Sequence, residues 1–136
     1  SGTMRDKVLI DTSVWIAYLQ GTAPGSLQQL VDDLLSGKEI VVPKIIIAEL
    51  IQGARTEKDI EVIREFLEAF TIVGEGERSW IDAGKLSFDL KKKGKTINLA
   101  DCYISIIAKE NRASILTLDK HFKDIQKEIG LELIGP

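Results

Sequence analysis

Four acidic side chains, Asp11, Glu49, Asp101 and Asp119, are spread along the chain at positions where carboxylates could share one task. Each also has an ordinary structural use. Asp11 and Asp119 suit helix N-caps, where a side-chain oxygen accepts a hydrogen bond from an unpaired backbone N–H. Asp101 follows Asn98 at the spacing of a capping box. Glu49 fits a solvated position poorly, because it interrupts Ile45-Ile46-Ile47-Ala48 and Leu50-Ile51, a run that is apolar all round. Brought together, four carboxylates repel one another and burial raises their pKa values further, so such a pocket holds protons until a cation arrives. A donor set made only of oxygen selects hard divalent ions, magnesium or manganese, over zinc or copper. One or two such ions can orient a phosphodiester, acidify a water and stabilise a leaving oxygen, and no serine or histidine nucleophile is then needed.

The acids can meet only if the fold carries them to one place. Residues 7–11 read as a short buried strand, and Asp11-Thr12-Ser13 precedes a helix over 14–19. Pro24-Gly25-Ser26 opens a second helix, over 27–35, and 39–42 read as the next strand. Helices follow over 45–52 and 57–69, then a strand over 71–73 and a long helix over 77–93. Asn98 caps a helix to about 111, 114–117 form a fourth strand, Asp119 starts a short helix, and 131–134 could add an edge strand. Strands alternating with helices predict an α/β fold, a mainly parallel sheet of four to five strands with helices on both faces. Chemistry in such sheets gathers beyond the carboxyl ends of the strands. Asp11 and Asp119 each follow a strand, Asp101 begins the helix leading into the fourth, and Glu49 lies one helix beyond the second.

Composition narrows the alternatives. The 136 residues carry 18 basic and 21 acidic side chains, net −3, unlike the basic balance of proteins that grip duplex DNA by its phosphates. One domain over residues 4–136 is expected, with Ser1-Gly2-Thr3 read as the remnant of an expression tag. A single cysteine, Cys102, forbids an intramolecular disulfide and fits a reducing cytoplasm. With only one histidine, His121, a four-ligand Cys/His zinc site is excluded too. No stretch nears the ~18 apolar residues of a membrane span, so no membrane is expected.

At these acids the chain resembles PIN domains, and among them the VapC-type toxins of toxin–antitoxin pairs. The likeness rests on Val8-Leu9-Ile10-Asp11-Thr12-Ser13-Val14-Trp15, Ile47-Ala48-Glu49-Leu50, Asn98-Leu99-Ala100-Asp101 and Leu116-Thr117-Leu118-Asp119-Lys120-His121-Phe122. It implies a PIN-like three-layer sandwich and a magnesium- or manganese-dependent endoribonuclease. The substrates it implies are single-stranded regions of tRNA, rRNA or mRNA. A homodimer and a cognate antitoxin protein are implied as partners. On this resemblance Asp11, Glu49, Asp101 and Asp119 are the catalytic, metal-holding quartet. Ser13 (or Thr12) is the hydroxyl near the first acid, and Thr117 is a polar neighbour of the last. Cys102-Tyr103 and Ser105-Ile106-Ile107 depart from the small, alanine-rich residues common after the third acid.

Lys91, Lys92, Lys93, Lys95 and Arg55 could guide an RNA backbone, or simply complement helix ends and keep the chain soluble. His121 reads as a residue packed at a helix start, with a ligand or proton-shuttle role as the alternative. Cys102 reads as core. Trp15 and Tyr18 read as core or as part of a partner groove. A haloacid-dehalogenase-type phosphatase needs a second acid two residues after the first, where Ser13 stands. A receiver domain needs paired acids there and a lysine after the last strand, and neither is evident. A PIN-like binding module that has lost catalysis is the non-enzymatic alternative.

Overall fold

The computed structural model describes residues 6–135, so the expected tag remnant lies outside the described residues. Val8, Leu9 and Ile10 alternate between the two faces of strand β1 (Lys7–Ile10), and all three are fully buried. A strand dry on both sides needs helices above and below it, as in parallel α/β sheets. Strands β2 (Glu39–Pro43), β3 (Thr71–Val73), β4 (Ala113–Leu116) and β5 (Leu133–Ile134) join it. All pairings are parallel, in the order β3-β2-β1-β4-β5. The expected α/β architecture is therefore observed. The chain lays β2 and β3 on one side of β1 and then crosses back to place β4 and β5 on the other. The strand order reverses between β1 and β4, and in open α/β sheets a ligand crevice forms at such a reversal.

Among the described residues, seven helices cover the sheet: α1 (Thr12–Leu19), α2 (Gly25–Gly37), α3 (Lys44–Gln52), α4 (Glu57–Leu67), α5 (Ser79–Lys92), α6 (Leu99–Glu110) and α7 (His121–Ile129). Helix α6 is buried without interruption from Asp101 to Ala108, because it packs against β4 on one side and α5 on the other. Helix α1 packs on α3, and α3 on α4. Trp15 of α1 is fully buried, its ring 5.5 Å from Phe66 and 5.8 Å from Phe70, so this aromatic is core and lines no groove. Tyr18 is half-buried, and its hydroxyl donates to Asp32 of α2 at 2.6 Å. Cys102 is buried as expected, and that burial pushes its thiol up to about 11, which keeps it protonated and unreactive.

Two boundaries near the acids differ from the sequence reading. β4 ends at Leu116, whose carbonyl accepts from the Asp11 N–H at 2.9 Å, so Thr117 has already left the strand. Helix α7 starts at His121, two residues later than expected, because Asp119 and Lys120 form the turn that leads into it.

Candidate metal centre

Asp11 occupies the N-cap position of α1, yet its side chain caps nothing. The carboxylate is 4% exposed and turns toward β4 instead. Its Oδ2 accepts from the Ser13 hydroxyl at 2.8 Å and from the Thr117 hydroxyl at 2.9 Å, which leaves Oδ1 clear of both. Each hydroxyl also accepts a backbone N–H: Ser13 from Leu118 at 3.2 Å, Thr117 from Asp119 at 3.0 Å. The two hydroxyls thus stitch the end of β1 to the turn after β4 and fix the carboxylate between them. Thr117 was expected beside Asp119, and it bridges Asp119 to Asp11.

Asp101 is 7% exposed, in the first turn of α6. Asn98 holds it from both sides: Asn98 Oδ1 accepts from the Asp101 N–H at 2.8 Å, and Asn98 Nδ2 donates to Asp101 Oδ2 at 3.2 Å. The helix cap and the orientation of the carboxylate are therefore one device, and sequence reasoning credited Asn98 only with the cap. Glu49 is half-buried on α3, where its Oε1 accepts from the Thr12 hydroxyl at 2.7 Å. Thr12 and Ser13 thus serve two different acids.

The electrostatics of Asp101 report the convergence. Burial is the largest influence, followed by the charges of Asp11 and Asp119, a hydrogen bond with Asp119, and the charge of Glu49; together they push its pKa up to about 7. All three other acids therefore act on this one carboxyl. No lysine or arginine among the described residues forms an ion pair with any of the four. Oxygen and nitrogen atoms of Asp101, Asp119 and His121 lie within 4.8 Å of one another, close enough to share an ion. An acidic pocket with no lysine or arginine partner among the described residues, and with donor atoms at this spacing, fits a divalent cation.

His121 departs from its expected place. Its side chain is 58% exposed, with Nδ1 3.3 Å from Asp119 Oδ1, so it borders the acids and does not pack into the core. Among the described residues, the basic residues named from the sequence form no ion pair with the four acids. Lys93 pairs with Glu128 at 2.7 Å and Lys95 with Asp124 at 3.8 Å, both on α7. The Lys92 ammonium lies 5.4 Å from the centre of the Phe88 ring, and Lys91 is exposed. Arg55 lines a cleft of about 540 Å³ with Ile16, Leu50, Asp59 and Val62, between α1, α3 and α4.

A parallel sheet with carboxylates gathered where its strand order reverses defines an α/β protein with an acidic, cation-fitting crevice. The chain belongs to the PIN domain family, whose pattern matches residues 8–128. It is 32% identical over 129 residues to Ribonuclease VapC1 of Methanocaldococcus jannaschii, covering 95% of this chain and 88% of that one. The structure of VapBC-1 from nontypeable Haemophilus influenzae superposes with a TM-score of 0.76 at 27% identity, over 95% of this chain and 97% of that one. VapBC2 from Rickettsia felis, bound to a DNA fragment from its promoter, gives a TM-score of 0.78 at 21% identity, over 96% and 98% of the two chains.

Proposed function

We propose that this chain is a toxin ribonuclease of a toxin–antitoxin pair, an endoribonuclease that hydrolyses phosphodiesters in single-stranded regions of tRNA, rRNA or mRNA. The observation that carries this reading is the gathering of Asp101, Asp119 and, through the Thr117 hydroxyl, Asp11 at the reversal of strand order. The ribonuclease relatives and the VapBC assemblies support it. Asp11, Glu49, Asp101 and Asp119 hold magnesium or manganese, as one or two ions. Once bound, the ion supplies a Lewis acid for the phosphodiester and lowers the pKa of a coordinated water. The protein's own part is positional. Ser13 and Thr117 hold the Asp11 carboxylate, Asn98 aims Asp101, and Thr12 fixes Glu49. Lys91, Lys92, Lys93, Lys95 and Arg55 lead the RNA backbone toward the acids. A cognate antitoxin restrains the enzyme, which acts as a homodimer in the cytoplasm. Among the described residues, no helix is long and apolar enough to cross a membrane.

The test is cleavage of single-stranded RNA with magnesium, with manganese and with chelator, comparing wild type, Asp11→Asn and Asp101→Asn. Cleavage is expected only with metal and to fall by roughly 100-fold or more in either variant. Equal activity in all three proteins points to a contaminating nuclease. Metal binding and RNA binding without any cleavage would instead support the catalytically inactive binding module.

A further inference from the structure

His121 opens α7 two residues beyond Asp119, and both its backbone and its ring face the same carboxylate. The His121 N–H donates to Asp119 Oδ1 at 2.9 Å, and Nδ1 lies 3.3 Å from that oxygen. With the ring more than half exposed, core packing gives no reason for a histidine here. One ring nitrogen, one oxygen of Asp101 and one of Asp119 lie within 4.8 Å of each other. Donors held ~2.0–2.2 Å from a small divalent ion stand about 3 Å apart when adjacent and just over 4 Å when opposite, so side-chain atoms within 4.8 Å of one another need only a small closing movement to share one ion.

An imidazole beside the two carboxylates makes nitrogen available as a donor as well as oxygen. Magnesium keeps oxygen ligands and several waters. Transition ions accept imidazole, and carboxylate sites for iron and manganese pair their acids with histidine. We propose that His121 supplies a nitrogen ligand to the cation held by Asp101 and Asp119, and so gives the pocket a preference for manganese over magnesium. This inference rests on the metal site of the proposed ribonuclease, while its readout is independent of cleavage.

The experiment loads chelator-treated protein with one equivalent of Mn²⁺ and records pulsed electron paramagnetic resonance of wild type, His121→Gln and His121→Ala. Nitrogen coupling to the bound manganese is expected in wild type and lost in both variants. Calorimetric titrations with Mn²⁺ and with Mg²⁺ are expected to show the manganese-to-magnesium affinity ratio falling about 10-fold in the variants, the loss typical when a site's metal environment loses one partner. Unchanged melting temperatures of the metal-free variants check that the fold is intact. Manganese bound without nitrogen coupling, or an affinity ratio unchanged in both variants, overturns the role of His121 and leaves the ribonuclease reading standing. Binding of neither ion by wild type overturns both.

Discussion

Asp11 and Asp101 are held by neutral donors, and this sets what their loss should do. Ser13 and Thr117 each give one hydrogen bond to Asp11 Oδ2, and each is anchored by a backbone N–H. Ser13→Ala and Thr117→Ala are expected to lower manganese affinity and cleavage by roughly 10- to 100-fold each, as groups that orient a metal ligand do. Titration calorimetry and RNA cleavage rates check this; an effect under twofold in both variants would deny them that role. Asp101 behaves differently because its proton is at stake. Its pKa is about 7 in the folded chain against ~3.9 when unfolded. Below the lower value the carboxyl is protonated in both states and contributes nothing. Between the two, the unfolded chain gives up its proton first, so the metal-free fold loses stability as pH rises toward 7. Asp101→Asn removes that loss. In chelator, the variant should melt several degrees above wild type at pH 8 and together with it near pH 4. Metal should then raise the melting temperature of wild type at pH 8 more than that of the variant.

Helix ends offer a comparison between support for the fold and support for the site. Thr56, an exposed residue, caps α4 by accepting from the Asp59 N–H at 3.1 Å. Asn98 caps α6 in the same way and also touches the Asp101 carboxylate. Thr56→Ala and Asn98→Ala should each cost about 1 kcal/mol of stability in denaturant titrations. Only Asn98→Ala should also weaken metal binding, and equal metal affinity in the two variants would separate the cap from the site. The elements themselves were legible because apolar periodicity and punctuating residues agree: Pro24 precedes α2, and Asn98 caps α6. Among the described residues, all five strands and seven helices match expected segments, and the parallel order puts Asp11 and Asp119 at the carboxyl edge of the sheet. Partnerships across the sheet were not legible. Thr117 reads as one more strand residue until β1 lies beside β4, and only that pairing brings its hydroxyl to Asp11. The His121 environment was hidden for a related reason, since amphipathic patterning does not reveal a turn that folds a ring back onto its neighbour.

For the molecule as a whole, the charge is mildly acidic while the end of α5 is basic. Lys91 and Lys92 form no ion pair among the described residues, whereas Lys93 and Lys95 are engaged by α7. Reversing Lys91 and Lys92 together should flatten the salt dependence of single-stranded RNA binding by about 0.7 in slope for each phosphate no longer neutralised. The same reversal at Lys93 and Lys95 breaks pairs with Glu128 and Asp124 and should also lower the melting temperature. A slope unchanged by both reversals removes α5 from the RNA path. The bond between Thr117 and Asp11 spans 106 positions of the chain. During synthesis the amino-terminal part leaves the ribosome first, and the growing polypeptide folds from that end. A nascent molecule that has reached Glu110 carries Asp11, Glu49, Asp101 and the Ser13 hydroxyl, but neither β4 nor the Thr117 hydroxyl, the second of the two that hold Asp11. The crevice therefore stays unassembled until translation has passed Asp119, the last of the four acids to be made.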